Sequence, residues 1–361
     1  MAGCKSASKL YNNGNYDEAV TLAVKKLQKK PNDGELKAIL QNAYRYAVED
    51  HERRIYDHSM SSDELKWEMM YNEYTSLQRL YTDIRSVPEI NDLVNPTDFS
   101  SFLVTYKEKA GDVRYERATR WMENDDKQSF RNAYRELQAA FGFKPNDWNI
   151  REKMKVAYDA AVIYVLVMPV ERYGYMNSSY QIRNFENDII RNLQYHTNNE
   201  FVKFYSRWEA QNIEPDQVIE MRFNNLDIGR IHDERNSRQV SKEVVVREIV
   251  YRPDSIIREY GRVQATITTT RRTMYSEGTL SINIRDNRGG WLWNDHFRGD
   301  HQWVTEFATY TGDERALSSE DKQLINRREQ NSPDKDDIIR EITNEIDNNL
   351  FYSIRDYYNR Y

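Results

Sequence analysis

Ala161-Val162-Ile163-Tyr164-Val165-Leu166-Val167-Met168-Pro169-Val170 separates two kinds of hydrophobic pattern in the chain. This short run of apolar and β-branched residues is typical of a buried central strand. Before it, apolar residues recur at three- and four-residue steps, whereas after it they alternate or form short continuous runs. We therefore expect an α+β protein in two parts, with an all-α domain over 9–160 and an α/β domain over 161–361.

The first part has helical periodicity along most of its length. We predict helices over 35–56, 63–84, 99–107, 113–123 and 148–158. Ser62 or Asp63 is expected to cap the second of these helices. Pro88 and Pro96 are expected to bracket a break, because proline cannot continue a helix from within.

One motif near the start occurs twice. Gly14, Tyr16 and Ala19, followed by Ala23 and Pro31, resemble the helix pair of a tetratricopeptide repeat (TPR). A second copy, in which Gln128 replaces the glycine, repeats the offsets of Tyr16, Ala19, Ala23, Lys26 and Pro31. Its residues are Phe130, Ala133, Leu137, Ala140 and Pro145. Both copies end in Lys-Pro-Asn-Asp, at 30–33 and 144–147.

The TPR resemblance implies an irregular array of helical repeats. Stacked helix pairs form a concave surface that suits protein partners. Tyr44 and Tyr74 are our candidate partner-binding residues, the alternative being that both are core residues.

The second part reads as an antiparallel meander with a terminal helix. We predict strands over 218–228, 242–252, 261–275, 278–285 and 290–298, with hairpin turns at 276–278 and 286–290. A helix is expected over 184–195, 200–208 is ambiguous, and a helix start is predicted at 318–320. The last helix begins at Ser332-Pro333 and carries an apolar stripe: Ile339, Ile342, Ile346, Leu350 and Ile354.

The order of these elements resembles bacterial envelope domains of the CsgG, LpoB and TolB amino-terminal type. The resemblance rests on a strand ending in proline, a helix, Pro215-Asp216-Gln217-Val218-Ile219 and a late hairpin with Asp286 and Gly290-Trp291-Leu292-Trp293. It implies a domain of the kind found on outer-membrane lipoproteins.

The single cysteine, Cys4, follows Met1-Ala2-Gly3. Small residues directly before a cysteine resemble the bacterial lipobox, although Met1 stands where that family has leucine. The resemblance implies lipid on Cys4, with 1–8 as lipobox remnant and short tether. In lipoproteins of the Bacteroidota type, an acidic stretch directly after the cysteine directs the protein to the cell surface. No such stretch follows Cys4, so the resemblance implies the periplasmic face of the outer membrane. The alternative is a chance thiol near a cytoplasmic terminus.

Composition and motifs exclude several functions. The net charge of −6 is well mixed in sign, which argues against a nucleic-acid surface. The sequence lacks the phosphate-binding, metalloprotease and serine-hydrolase motifs, so we predict no enzyme and no cofactor. His296 and His301 with Asp295 and Asp300 could hold a metal, but their spacing favours a polar hairpin end.

Trp291 and Trp293 lie two residues apart on a predicted strand and should face the same side. They either pack the sheet against the last helix or form an exposed partner patch.

The combined prediction is a membrane-anchored periplasmic lipoprotein. It would act as a scaffold or accessory subunit of an envelope complex for secretion, assembly or export, through protein–protein contacts. The alternatives are a soluble ligand-binding protein or enzyme that uses the C-terminal sheet, and a cytoplasmic TPR adaptor.

Overall fold

The computed structural model describes residues 6–172, 179–252 and 255–360 of the 361-residue chain. The fold is mixed α/β and divides into two compact units, Met1–Val162 and Ile163–Tyr361. The first unit is helical, and the second contains a mixed sheet with a terminal helix. The change of periodicity at 160/161 therefore lies two residues before the junction of the two units.

The described residues of the first unit form eight helices. They are α1 (Ala7–Asn12), α2 (Tyr16–Leu27), α3 (Gly34–Met60), α4 (Lys66–Arg85), α5 (Pro88–Val94), α6 (Ser100–Met122), α7 (Lys127–Phe143) and α8 (Trp148–Ala161). Helices that are neighbours along the chain make most of the contacts, and buried alanines and leucines fill the space between them.

The duplicated Lys-Pro-Asn-Asp segment has the same local role in both copies. Asp33 caps α3 by accepting a hydrogen bond from the Leu36 backbone N–H, and Asp147 caps α8 through Asn149 and Ile150. In the first copy Gly14 has φ +77°, a left-handed conformation that lets α1 turn into α2 within three residues. The Lys-Pro-Asn-Asp segment therefore specifies a helix cap in each copy, whereas the glycine turn occurs only in the first copy, because Gln128 lies within α7.

Three helix predictions need correction. The segment bracketed by Pro88 and Pro96 is the helix α5, because proline is tolerated in the first helical turn. The predicted gap over 108–112 is part of α6, where Gly111 lets the Lys144 stem pack closely. Helix α4 begins at Lys66, since Asp63 accepts from the Leu65 N–H in the preceding turn.

A buried histidine links three helices of the first unit. His51 Nδ1 of α3 lies 2.5 Å from Glu73 Oε2 of α4, and His51 Nε2 lies 3.1 Å from Asp17 Oδ2 of α2. Burial lowers the pKa of His51, but its hydrogen bonds to Asp17 and Glu73 outweigh this effect and raise the pKa above 6.5. Arg54 also contacts His51 and Glu73, and Arg79 lies 3.7 Å from Asp17.

The second unit is built around a six-stranded sheet. Strands β1 (Ile163–Val167) and β2 (Val202–Ser206) are parallel and are connected through α9 (Tyr180–His196). Strand β3 (Gln217–Asp227) is parallel to β1 on its other side. The remaining strands are β4 (His232–Arg252), β5 (Ser255–Asp286) and β6 (Trp291–Gly312). Both β3 and β4 pair with one edge of β5, and β6 pairs with the other.

Two cores lie on opposite faces of β5. The large core contains Ile282 and Ile284 and is covered by α9 and α11 (Lys335–Tyr358), whose predicted isoleucine and leucine stripe is buried. The small core contains Ala265 and Ile267. Their side chains point to the opposite face of β5 from those of Ile282 and Ile284, because odd- and even-numbered residues of a strand face opposite sides. Leu317, after a 3₁₀ turn (Glu314–Ala316), and α10 (Ser319–Asn326) pack on this second face.

Several predictions for the second part also change. The turn predicted at 276–278 is wrong, because these residues lie within β5. A Cβ at Gly278 would come within 2.9 Å of Leu226 and 3.0 Å of Ile342, so this glycine allows close approach of α11. The ambiguous 200–208 contains β2, and the strand predicted over 161–170 is only Ile163–Val167. The turn at 286–290 is confirmed, with Gly289 at φ +84°.

The His51 contacts predict a pH dependence of stability. Both ring nitrogens lie within hydrogen-bond distance of carboxylates, and these contacts favour the protonated ring. Because the folded pKa is raised, the stabilisation is complete below pH 6.5 and is lost as the pH rises through the folded pKa. We expect the free energy of unfolding of residues 1–162 to fall as the pH rises above 6.5 and through the raised folded pKa of His51.

His51→Gln should remove this pH dependence. At about pH 6, where the contacts of protonated His51 with Asp17 and Glu73 are intact, the variant should lose on the order of 3 kcal/mol of unfolding free energy. Urea titration of the wild type and variant measures both effects. An unchanged slope in the variant would contradict the assignment. The matched control is His58→Gln, because His58 lies 4.0 Å from Glu73 and contributes less.

Candidate functional site

Both candidate tyrosines of the first unit are buried. The Tyr44 hydroxyl accepts a hydrogen bond from the Thr97 backbone N–H at 3.0 Å. Tyr74 stacks between Phe102 and Tyr106, with ring centroids 4.8 Å and 5.1 Å away. Burial raises the pKa of Tyr74 to about 12. The structure thus places both residues in hydrophobic cores, the alternative that the sequence left open.

Tyr44 also lines a cavity of about 400 Å³ between α3 and the end of α5. Gln41 crosses this cavity, and its amide donates to the Leu93 backbone carbonyl at 3.0 Å. Cys4, the predicted lipidation site, lies outside the described residues.

Trp291 and Trp293 point to opposite faces of the sheet, which corrects the prediction. Trp293 pairs with Ile284 but Trp291 pairs with Arg285, so Leu292 is an extra residue that shifts the register. Trp293 packs on Tyr357 of α11, with ring centroids 5.6 Å apart. Trp291 is 61% exposed, and the Arg285 guanidinium lies 4.4 Å from its ring centroid.

The β6 histidines and aspartates are also divided between the two faces. Asp295 and His301 pair with even-numbered residues of β5, whereas His296 and Asp300 pair with odd-numbered ones. His296 Nδ1 lies 2.9 Å from the Ser281 hydroxyl. Within the described ranges, no three histidine, cysteine or acidic side chains are placed to hold one metal ion.

A cavity of about 450 Å³ lies at the carboxyl ends of β1 and β2. Ligands bind at this position in open α/β sheets. Three arginines and two glutamates line it, and two ion pairs form among them, Arg285–Glu220 at 2.7 Å and Arg222–Glu171 at 3.7 Å. Arg207 makes no ion pair with the described residues, which leaves one positive charge without compensation.

The most distinctive surface is a two-stranded ribbon, 241–252 of β4 with 255–264 of β5, which we call the arm. It extends past the end of β6, because Gly312 pairs with Ala265. At about 3.4 Å per residue the arm is roughly 35 Å long. Its outer edges pair with no other described strand.

Large apolar side chains are exposed along the arm. Four of them are about half exposed or more: Val246 (49%), Ile256 (53%), Ile257 (54%) and Tyr260 (60%). Ile256 and Ile257 point to opposite faces, so neither face of the arm is wholly polar. Two-stranded ribbons are only marginally stable in water, so a partner that covers these side chains would stabilise the arm.

The sequence contained a signal for this arm. Val244-Val245-Val246 and Ile256-Ile257 break the alternation expected of a half-exposed strand, because they put apolar side chains on both faces. That pattern predicts a strand buried on both sides. Strand pairing and exposure show instead that no further described strand pairs with these segments and that their side chains are exposed.

The chain matches no known family model and no curated protein at a significant level. Within the described ranges, every helix is either too short or too polar to cross a lipid bilayer.

The bulge at Leu292 predicts unequal roles for the two tryptophans. We expect Trp293→Ala to lower the free energy of unfolding by about 2 kcal/mol, because it removes the contact with α11. Trp291→Ala should change it by less than about 0.5 kcal/mol, because that side chain is mostly exposed. Chemical denaturation of residues 163–361 measures both, and equal losses would place the two rings on one face.

Proposed function

We propose that the protein is a lipid-anchored scaffold or accessory subunit of a bacterial envelope complex, which binds a protein partner through its arm. The arm is the observation that carries this proposal, because it combines exposed aliphatic side chains with two open strand edges. In this proposal the lipid is on Cys4 and the protein faces the periplasm.

The arm suits binding by strand addition. A partner segment in extended conformation would form backbone hydrogen bonds with the open edge of β5 over 255–264, in line with β6. Alternate apolar side chains of that segment would cover Ile257 on one face or Tyr260 on the other. The partner is thus a protein with a free, alternately apolar strand or tail.

The helical unit is TPR-like in this proposal and holds the complex together. The Gly14 turn and the equivalent caps at Asp33 and Asp147 support a repeated helix-pair unit. Its role would be spacing and additional contact, since Tyr44 and Tyr74 are buried.

The second candidate function is binding of a small anionic ligand at the sheet. The cavity at the carboxyl ends of β1 and β2 favours it, because Arg207 there is uncompensated among the described residues. Arg207→Gln would abolish binding of such a ligand while leaving the folded state intact, since Arg207 is exposed.

Cys4→Ser tests the anchor. Loss of the acyl chains should move the protein from the membrane fraction to the soluble fraction, because the multiple chains of a lipoprotein supply its membrane affinity. Fractionation of cells followed by detection of the full chain measures the distribution. A variant that remains fully in the membrane fraction would contradict a lipid anchor.

The arm is tested by changing two of its exposed aliphatic residues. Val246→Thr with Ile257→Thr keeps β-branched side chains and strand propensity while adding polarity. We expect affinity for the partner to fall by about thirtyfold, equivalent to about 2 kcal/mol. Co-purification from envelope extracts, followed by titration of the recovered partner, measures this loss.

The matched control is Val104→Thr with Val156→Thr, two aliphatic residues that are exposed in the helical unit. Partner binding should be unchanged in this control. If the control pair weakens binding and the arm pair does not, the helical unit binds the partner instead.

A further inference from the structure

Four lysines cluster at the end of α2. Lys25, Lys26, Lys29 and Lys30 are all exposed, and no acidic residue occurs between residues 22 and 32. The chain as a whole carries a net charge of −6, so this cluster has the opposite sign to the rest of the molecule. We call these four residues the lysine surface.

The lysine surface has no counter-ion among the described residues. None of its four side chains makes a hydrogen bond or ion pair with the described residues. The helix dipole accounts for Lys25 and Lys26, which lie in the last turn of α2. It does not account for Lys29 and Lys30, which follow the helix.

Three of these lysines border a cavity of about 430 Å³. Lys26, Lys29 and Lys30 lie on one side of it, and Ser6, Ala7 and Ser8 of the first helix lie on the other. Asp33 and Glu35 also line the cavity, but the Asp33 carboxylate already accepts the Leu36 backbone N–H as the cap of α3. The cavity is large enough to receive a phosphate-bearing headgroup, and positive charges outnumber negative ones around it.

The first described helix borders the same cavity. Ser6 caps α1 through the Lys9 N–H, and Ala7 and Leu10 are buried in the first core. Two residue steps separate Ser6 from Cys4, a span of at most about 7 Å. A lipid anchor on Cys4 would therefore hold the lysine surface at the level of the headgroups.

We propose that the lysine surface binds the anionic phospholipid headgroups of the membrane that carries the protein. Lysines near an anionic bilayer add attraction that falls off within a Debye length. Such contacts would orient the helical unit on the membrane, with α1 and the end of α2 toward the lipid. The inference rests on the proposed envelope role for its location, whereas binding to anionic lipid itself does not require the acyl chains.

The test uses the full chain carrying Cys4→Ser, so that lipidation plays no part. Its binding is measured by sedimentation with vesicles of phosphatidylcholine alone, and with vesicles containing about one third phosphatidylglycerol. We expect binding only to the anionic vesicles, and weaker binding as salt is added. Each lysine contributes on the order of a fivefold change in affinity.

The decisive variant is Lys26→Gln, Lys29→Gln and Lys30→Gln together; glutamine has a helix propensity close to that of lysine, which matters at Lys26 because it lies within α2. It should weaken binding by on the order of a hundredfold. The charge-matched control is Lys107→Gln, Lys109→Gln and Lys155→Gln, three lysines of the helical unit that do not line the cavity. The control should bind as the parent does.

Two results would overturn the proposal. One is equal binding to neutral and anionic vesicles, and the other is an equal loss in the two triple variants. Either result can occur while Cys4→Ser still releases the protein in cells, so failure here is distinct from failure of the lipid anchor. Circular dichroism of each variant shows that the helices are retained.

Discussion

The alternation of side chains along β5 is the constraint on which the second unit depends. Because successive residues point to opposite faces, one strand of 32 residues can carry two separate cores. Ile282 and Ile284 face α11, while Ala265 and Ile267 face the 3₁₀ turn and α10. A slip of one residue in its pairing would expose both cores at once, so burial fixes the register from both sides.

Departures from that alternation explain the surfaces of this unit. Glycines at 278 and 299 let α11 lie close to the sheet, and the bulge at Leu292 turns Trp291 outward while Trp293 stays inside. Where β6 ends, no further described strand pairs with the ribbon, and Val246, Ile256 and Ile257 are exposed. The arm is thus the part of β4 and β5 that extends beyond the end of β6.

The first unit depends on different interactions. Its helices pack through small buried residues, and a charged cluster at His51 links α2, α3 and α4. A second cluster joins Arg114 and Arg117 to the largely buried Glu136, connecting α6 with α7. Ion pairs that are partly buried contribute less to net stability than their number suggests, but they fix which helices are neighbours. Charge left outside such clusters, as on the lysine surface, is available for a partner of opposite sign.

Periodicity in the sequence was sufficient to predict the mixed α/β class, the change near residue 160, the stripe of α11 and the turn at 286–290. These features depend on the local order of residues, which a sequence displays directly. The sequence also shows directly that Cys4 follows small residues, as in a lipobox, and that the Lys-Pro-Asn-Asp segment is repeated. It did not predict the continuity of β5 through Gly278, because a glycine in a turn and a glycine beneath a helix look alike without the helix. Nor could it show that Trp291 and Trp293 point to opposite faces of the sheet. The burial of Tyr44 and Tyr74 and the exposure of the arm were also not predictable from the sequence. Those outcomes depend on strand pairing and on contacts between distant segments, and only the tertiary structure decides them.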